Sequence, residues 1–354
     1  MGKNILFICG TLNQTTQLHA IARELPEHNC FFTPYYLEGF TAILHRLGML
    51  ENTAVGGKLS RTVTRYLKEQ NLPVDPGGKR DDYDLVVMCT DLLVQKNLRG
   101  KRLLLVQEGM TEPEGLRYAG VRLLGLPRYI ANTASFGLSN AYHRFCVASS
   151  GYRDLFIGKG IPAEKLVVTG IPNFDNVASF LDNDFPYHDY VLAATSPTRE
   201  TFQRDDRLGF IQKVLEIANG RQVIFKLHPA EQERRSRREI ERLAPGLLVF
   251  QQGNTNAMIA NCSVLVTQFS TVTYIGLALG KQVYSYLDLE ELRRLMPMQN
   301  GGTSASLIAE ECRSLLATPL RVADMALPRT GWFSGRLQSR WLQRPRLSGL
   351  EAAS

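Results

Sequence analysis

The residues whose side chains are best suited to binding or catalysis come directly after short apolar segments of the chain. One such motif is residues 226–229 (Lys-Leu-His-Pro), in which Pro229 suits the first position of a helix. An imidazole at this place, neutral or charged, can donate a hydrogen bond to a phosphate or nucleotide oxygen, and Lys226 adds positive charge to the same site. A histidine that only caps the loop is the structural alternative. The Lys-x-His-Pro context favours a ligand-binding role for His228.

Hydroxyl groups follow another apolar segment, in residues 267–272 (Thr-Gln-Phe-Ser-Thr-Val). Ser270 and Thr271 stand where a helix is expected to begin, and the N–H groups and dipole of a helix N-terminus attract an anion. Simple helix capping by Ser270 is the alternative, and it is compatible with anion binding. We therefore predict that Ser270 and Thr271 bind a phosphate at the same rim as His228.

Glu108 is the candidate general base. It lies in residues 107–109 (Gln-Glu-Gly), again directly after an apolar segment. A carboxylate at the end of a strand can take a proton from a hydroxyl group in the cleft beside it. From the sequence alone, a solvated glutamate in a turn closed by Gly109 is an equally good interpretation.

Two further loops supply polar side chains without a catalytic signature. Residues 10–16 (Gly-Thr-Leu-Asn-Gln-Thr-Thr) contain neither the GxGxxG pattern of a dinucleotide site nor a P-loop. Thr11, Asn13 and Gln14 are predicted to line a ligand cleft, with ordinary helix capping as the alternative. Asn173, in a turn that contains Gly and Pro, is assigned to the same lining.

The elements that position these residues are predicted from an alternation of short apolar segments with longer helical patterns. This alternation is typical of an α/β protein in which helices cover parallel sheets. Strands are predicted at 4–9, 30–34, 85–89, 103–107, 144–148 and 166–169, and then at 190–194, 222–226, 247–250, 264–267 and 282–286. Helices are predicted at 15–25, 58–70, 151–159, 204–218, 230–242, 254–260, 271–278 and 304–316. Ligands of open α/β sheets bind beyond the carboxyl ends of the strands, where all the motifs above lie.

The chain is long enough for two domains, and a polar, turn-rich stretch at 182–186 predicts the boundary between them. We therefore expect domains at 1–183 and 184–318, followed by a basic tail at 319–354. The apolar and aromatic segment 36–56 is interpreted as a lid or a helix that faces a substrate.

Composition excludes several classes of protein. The 354 residues are 44% hydrophobic and 21% charged, which is a globular balance, and no apolar run is long enough to span a membrane. The six cysteines form no CxxC pair and are predicted to be reduced, mostly in the core of a cytoplasmic protein. HExxH, DxD and GxSxG motifs are absent, which disfavours a zincin, a DxD-type metal-dependent transferase and a serine hydrolase. The net charge of +7 favours an anionic partner, although soluble enzymes are often mildly basic.

The order of the motifs resembles that of the GT-B superfamily over roughly residues 100 to 290. The resemblance rests on residues 166–175, 226–229, 265–271 and 279–286. Within the superfamily the pattern is similar to capsule and cell-surface polysaccharide enzymes: CDP-glycerol glycerophosphotransferases, bacterial sialyl- and Kdo-transferases with a His-Pro motif, and UDP-N-acetylglucosamine 2-epimerases.

This resemblance implies two Rossmann-like domains whose parallel sheets face each other across a cleft, the first for the acceptor and the second for the nucleotide donor. It implies that His228 contacts the donor phosphate or nucleotide, that Ser270 and Thr271 contact phosphate, and that Glu108 is the base. The chain departs from the family patterns at Gln107 and Gln268, where relatives carry acidic residues.

The function expected on this basis is transfer of a sugar from a nucleotide-activated donor to a surface-glycan or lipid-linked acceptor, without a metal or other cofactor. A UDP-N-acetylglucosamine 2-epimerase is the enzyme alternative. The second alternative is a non-catalytic protein that binds a nucleotide-sugar or a polysaccharide. A nucleic acid is not expected as a partner, because no module that reads one is recognised.

The tail predicts a further property. Residues 319–350 contain six arginines, one aspartate and both tryptophans, Trp332 and Trp341. Such a segment suits the headgroup region of an anionic membrane, which implies peripheral association with its inner face. Packing of the tail back on the first domain is the alternative.

Overall fold

The computed structural model of the protein describes residues 2–38, 57–98, 100–200 and 205–319. These residues form two compact units, the first from residues 2–175 and 297–319 and the second from residues 176–296. In the described ranges, no helix combines the length and apolar composition needed to cross a bilayer.

The first unit is built on a six-stranded parallel sheet in the order β2-β1-β3-β4-β5-β6. Its strands are β1 (Asn4–Cys9), β2 (Asn29–Pro34), β3 (Leu85–Met88), β4 (Leu103–Val106), β5 (Arg144–Val147) and β6 (Leu166–Val168). Its helices are α1 (Leu12–Arg23), α2 (Gly57–Glu69), α3 (Leu116–Leu124), α4 (Ser150–Gly158) and, from the end of the described chain, α10 (Ser304–Ala317). Short 3₁₀ helices lie at Lys96–Leu98, Arg128–Ser135 and Ala163–Lys165.

The second unit is built on a five-stranded parallel sheet in the order β11-β10-β7-β8-β9. Its strands are β7 (Val191–Ala194), β8 (Val223–Lys226), β9 (Leu248–Phe250), β10 (Val264–Thr267) and β11 (Gln282–Tyr284). Its helices are α5 (Arg207–Ala218), α6 (Glu233–Leu243), α7 (Thr255–Asn261), α8 (Val272–Ala278) and α9 (Leu289–Leu295), and a 3₁₀ helix lies at Val177–Leu181.

Both sheets form because their central strands are apolar on both faces. Every residue of β3, β4, β7, β8 and β10 is buried, as expected for strands covered by helices on either side. In the first unit, Leu18 and Ile21 of α1 pack with Ile308 and Cys312 of α10 against the six-stranded sheet. In the second unit Ile211 of α5 packs in the core that also contains residues of β7, β8 and β10.

The structure confirms all eleven predicted strands to within one or two residues at their ends, and it confirms the α/β class. Helices α3 and α9 were not predicted. Helix α3 carries leucines on its exposed side as well as buried side chains on the other, so it lacks the one-sided apolar pattern that marks an amphipathic helix. All six cysteines are free, and five of them are buried.

The division into units differs from the predicted domains in two places. The units separate between Asp175 and Asn176 rather than after residue 183, and α10 belongs to the first unit although it was expected in the second. The reason is burial, because the apolar face of α10 completes the core beneath β1 and α1. The predicted lid falls mostly on residues 39–56 and the basic tail on residues 320–354, both outside the described residues.

Candidate functional site

In the first unit, the residues that follow β1 and β4 come together at the carboxyl edge of the sheet. Thr11 is the N-cap of α1, and its hydroxyl oxygen accepts a hydrogen bond from the Gln14 amide at 3.2 Å. Glu108 comes two residues after the end of β4. Since the strands are parallel, both loops leave the sheet on the same edge.

Glu108 accepts three hydrogen bonds from the loop after β1 and the first turn of α1. The Thr11 hydroxyl donates to Oε1 at 2.9 Å, and the Asn13 side-chain amide donates to the same oxygen at 3.3 Å. The Gln14 side-chain amide donates to Oε2 at 2.5 Å. Glu108 is therefore a half-buried, oriented carboxylate rather than a freely solvated turn residue. A carboxylate has about four acceptor positions, so this arrangement leaves room on Oε2 for a hydroxyl donor.

Gly10 and Asn173 support this arrangement. The Gln14 side-chain oxygen accepts from the Gly10 N–H at 3.1 Å, and a Cβ on Gly10 would stand 2.2 Å from that oxygen. A glycine is thus required for Gln14 to reach Glu108. The Asn173 side-chain amide donates to the Asn13 carbonyl at 2.8 Å and to Asn13 Oδ1 at 2.7 Å. All four residues predicted to line the cleft lie in one network with Glu108.

Gln107 has a different role from its neighbour. It is fully buried, its Oε1 accepts from the Ala148 N–H at 2.9 Å, and its Nε2 donates to the Gly109 carbonyl at 2.8 Å. The side chain thus links the loop after β4 to the end of β5. Because it both accepts and donates, an ionised acid could not replace it here.

In the second unit, His228 follows β8 at an exposed position of the chain. The Ala230 N–H donates to Nδ1 at 3.1 Å, which leaves Nε2 as the nitrogen that carries the proton in the neutral ring. The backbone N–H of His228 donates to Glu231 Oε1 at 3.0 Å. The geometry therefore presents one N–H donor from a loop that is fixed at its backbone.

His228 is neutral at physiological pH. Desolvation by the surrounding protein lowers the pKa of His228 from 6.5 to about 4, the Lys226 ammonium lowers it further, and Glu200 opposes the change. The ring can accordingly donate a hydrogen bond from Nε2 without a positive charge.

Lys226 is directed away from the surface. It is buried, and its Nζ donates to the Gln251 carbonyl at 2.8 Å and to the Leu227 carbonyl at 3.2 Å. Burial lowers the pKa of Lys226, and the carboxylate of Glu231 opposes that change. In this structure Lys226 ties the loop after β8 to the end of β9, whereas the sequence predicted a contact with the ligand.

The loop after β10 carries Ser270 and Thr271 immediately before α8. The Ser270 hydroxyl oxygen accepts from the Val272 N–H at 3.4 Å, although the N-cap residue of α8 is Thr271 rather than Ser270. Strand β7 lies between β8 and β10, and the residues after it connect the two loops. Ser196 donates to the Phe269 carbonyl at 2.9 Å, and Thr195 donates to the Glu231 carboxylate.

A buried ionic network lies beneath these loops. The carboxylate of Glu231 is 3.0 Å from the Arg207 guanidinium, which is in turn 3.3 Å from Asp205. All three side chains are almost completely buried. Burial alone would raise the pKa of Asp205, but Arg207, Gln268 and Arg199 outweigh it and lower the pKa.

The local sequence patterns did not predict this network, although a signal was present. Thr195 and Ser196 come directly after the predicted strand 190–194, so the search of strand ends applied equally to them. Glu231 lies two residues after the His-Pro pair. Its pairing with Arg207 depends on a long-range contact that no local pattern indicates.

Within the described ranges, no cluster of three or more histidine, cysteine, aspartate or glutamate side chains could hold a metal ion. The expectation of a metal-independent reaction stays a prediction.

No protein-family model and no curated protein sequence matches the chain. Solved structures do. The UDP-GlcNAc 2-epimerase from Neisseria meningitidis, bound to UDP-GlcNAc, superposes with a TM-score of 0.54 at 12% identity and covers 88% of this chain and 100% of its own. The Methanocaldococcus jannaschii UDP-GlcNAc 2-epimerase, in complex with UDP-GlcNAc and UDP, gives 0.55 at 14% identity, over 88% of this chain and 99% of its own. A putative UDP-N-acetylglucosamine 2-epimerase from Listeria monocytogenes gives 0.52 at 12% identity, over 90% and 89%.

The chain has a GT-B-type fold. Its two Rossmann-like units, each with a parallel sheet, extend over nearly the whole length of these neighbours. At such low identity the likeness concerns the fold and leaves the reaction open.

Proposed function

We propose that the protein transfers a sugar from a nucleotide-activated donor to a hydroxyl group of a glycan or lipid-linked acceptor. The observation that carries this proposal is the oriented carboxylate of Glu108, held by Thr11, Asn13 and Gln14 at the carboxyl edge of the first sheet. Amide and hydroxyl groups around one carboxylate suit the binding of a polyhydroxylated substrate, and the carboxylate itself can act as a base.

The proposed reaction is a direct displacement. Glu108 takes the proton of the acceptor hydroxyl, and the acceptor oxygen forms a bond to the anomeric carbon of the donor sugar. The bond from that carbon to the phosphate oxygen breaks, and its electron pair leaves with the nucleotide phosphate. Hydrogen bonds to the departing phosphate stabilise the charge that develops there.

The second unit is proposed to bind the donor. His228 supplies a neutral N–H donor, and Ser270 and Thr271 supply hydroxyl and backbone N–H groups at the start of α8. The hydrogen bonds of Ser196 and Thr195 hold the loops after β8 and β10 in fixed positions. Lys226 takes no part in the proposed contacts, because its ammonium is bonded to backbone carbonyls.

The test is an assay of acceptor dependence. A panel of CMP-, CDP-, UDP- and GDP-sugars is first compared by thermal shift, and the donor that stabilises the protein most is kept. Release of the nucleotide is then followed with and without a panel of hydroxyl acceptors. We expect release to require an acceptor and to produce a glycoside that mass spectrometry detects.

Two outcomes would contradict the transferase proposal. Formation of the C2 epimer from UDP-N-acetylglucosamine alone, followed by NMR, would favour the epimerase, whose solved representatives share the fold. A donor that binds but is never consumed, across all acceptors, would favour a non-catalytic binding protein.

A further inference from the structure

Four elements of the second unit meet at the carboxylate of Glu231. This side chain is fully buried, and each of its two oxygens accepts from two donors. The donors lie in the loop after β7, the loop after β8, the start of α5 and the interior of α6, and they are Thr195, His228, Arg207 and Ser236. A carboxylate has about four acceptor positions, so these donors occupy the whole carboxylate of Glu231.

Glu231 closes the turn that carries the imidazole of His228. The His228 N–H donates to Glu231 Oε1 at 3.0 Å, and the Glu231 N–H donates to the His228 carbonyl at 3.0 Å. Within this turn the Ala230 N–H donates to His228 Nδ1 at 3.1 Å, which leaves the proton of the neutral ring on Nε2. The backbone position and the Nε2–H of His228 therefore both depend on a turn that Glu231 closes through its side chain and its backbone.

Thr195 strengthens the same contact. Its hydroxyl donates to the Glu231 carboxylate, and its oxygen accepts from the His228 N–H at 3.3 Å, a longer bond than the one to Glu231. The carboxylate thus sets the orientation of this hydroxyl as well. Loss of the carboxylate would therefore loosen both acceptors of the His228 N–H.

Glu231 is also a partner of Arg207, and the structure separates this role from the hold on His228. The Arg207 guanidinium is 3.0 Å from Glu231 and 3.3 Å from Asp205, so it has two carboxylate partners. Charge balance with Arg207 needs the negative charge of Glu231, whereas the hold on His228 needs only an oxygen that accepts a hydrogen bond. A side chain with the oxygen but without the charge would keep the contact with His228 and weaken the one with Arg207.

We propose that Glu231 is a positioning residue for the donor: it holds the loop after β8 so that His228 presents its Nε2–H to the donor phosphate. Glu231 acts through His228, because its own carboxylate is buried. This inference rests on the proposed role of His228 in donor binding. The Lys226 ammonium and the Glu200 carboxylate are the charges that act on the imidazole, and both remain when Glu231 is replaced.

The experiment compares Glu231→Met, which removes both oxygens, with Glu231→Gln, which keeps one of them. NMR follows the titration of the His228 ring, and isothermal titration measures the affinity for the nucleotide donor. In Glu231→Met the loop is loosened and the ring is hydrated, so its midpoint should rise from about 4 by at least about one pH unit, and the affinity should fall about tenfold. Glu231→Gln should keep the midpoint and the affinity of the wild type, although it should unfold at lower urea because Arg207 loses the charge of one partner.

The matched control is Asp91→Leu, which removes a buried carboxylate of the first unit that accepts the N–H groups of Gly137 and Ser139. This variant should also be less stable than the wild type, yet it should keep the midpoint of His228 and the donor affinity. Circular dichroism checks that each variant is folded.

A wild-type midpoint in Glu231→Met would overturn the proposal, as would a folded Glu231→Gln variant whose midpoint moves to about 6.5, the ordinary value of histidine. If Glu231→Met does not fold, the midpoint of Glu231→Gln decides alone. A wild type that binds no nucleotide would contradict the proposed function, and the titration of His228 would still test the hold of Glu231 on this residue.

Discussion

Two pairs of polar residues that are close in sequence differ in where their side chains are directed. Glu108 and His228 present polar atoms at the carboxyl edges of their sheets, whereas Gln107 and Lys226 are buried and bond to backbone groups. Gln268 resembles Gln107, since it accepts from the Ser196 N–H and donates to Asp205. Both glutamines stand at the positions where the chain departs from the motifs that its sequence resembles, and in both places the structure uses an amide that accepts and donates at once.

Replacement of Glu108 by glutamine should lower the rate with acceptor by about 10²- to 10⁴-fold and leave donor affinity unchanged, because the substitution removes a base but little volume. Steady-state kinetics and isothermal titration with the donor measure the two effects. Glu164→Gln, at an exposed position of the same unit, is the control and should behave as wild type. A normal rate for the Glu108 variant would place the base elsewhere.

The imidazole of His228 should titrate near pH 4 and show no change between pH 5.5 and 8. Its NMR signal is assigned by its loss in His228→Ala. Because the pKa is lower in the folded protein than the ordinary 6.5, the unfolded chain binds this proton first as the pH falls. The contribution of His228 to stability is therefore present above pH 6.5 and is lost as the pH falls towards 4. A midpoint at 6 to 7 would refute the neutral donor.

At the scale of elements, hydrogen bonds and an ion pair link three loops of the second unit. The loops after β7, β8 and β10 are joined by Thr195, Ser196 and Glu231, and Arg207 at the start of α5 contacts the same carboxylate. A change in any of these groups should therefore be transmitted to His228 through its backbone.

Glu231→Ala should lower the free energy of unfolding by about 3–5 kcal/mol, because buried Arg207 would lose one of its two carboxylate partners and the His228 N–H and Ser236 hydroxyl would lose their acceptor. Urea unfolding measures the change. Glu233→Ala is the matched control, since that carboxylate is 42% exposed and pairs with Arg237 in a surface contact, which is worth less than about 1 kcal/mol. Similar losses for the two variants would show that the network adds no stability of its own.

The strands were predictable because apolar segments buried on both faces leave a local signal, as in β1 and β10. The position of Glu108 in a loop at the carboxyl edge of the sheet followed from the same signal. Its three donors and the pairing of Glu231 with Arg207 did not, because each joins residues far apart in the sequence. Helix α3 was not predicted, because its exposed side is apolar and the helix therefore lacks an amphipathic pattern.

For the whole molecule, the chain leaves the first unit after Asp175 and returns to it at Pro297. Its last described helix, α10, fills the core beside α1 with Ile308, Ala309 and Cys312. The stability of the first unit therefore depends on residues that follow the second unit in the sequence.

Ile308→Ala should cost about 2–5 kcal/mol, because it opens a cavity in a fully buried position of the first core. Hydrogen exchange should accelerate at the amides of β1 and remain unchanged at those of β7. Ile211→Ala, equally buried in the second core, should give the reverse pattern. If Ile308→Ala accelerates exchange in β7 as much as in β1, the two units do not unfold separately.

The return of α10 also sets an order for biosynthesis. A ribosome makes the six strands of the first sheet early, but the helix that covers part of its core emerges only after the whole second unit. The apolar surface of the nascent first unit thus stays exposed while the second unit is made and can already fold. Chaperones bind apolar surface that is exposed in this way. A premature stop codon between residues 297 and 303 would leave the second unit intact and the first one without this helix. A truncation encoded near the end of the mRNA would then cause misfolding of the first unit, which is encoded at its beginning.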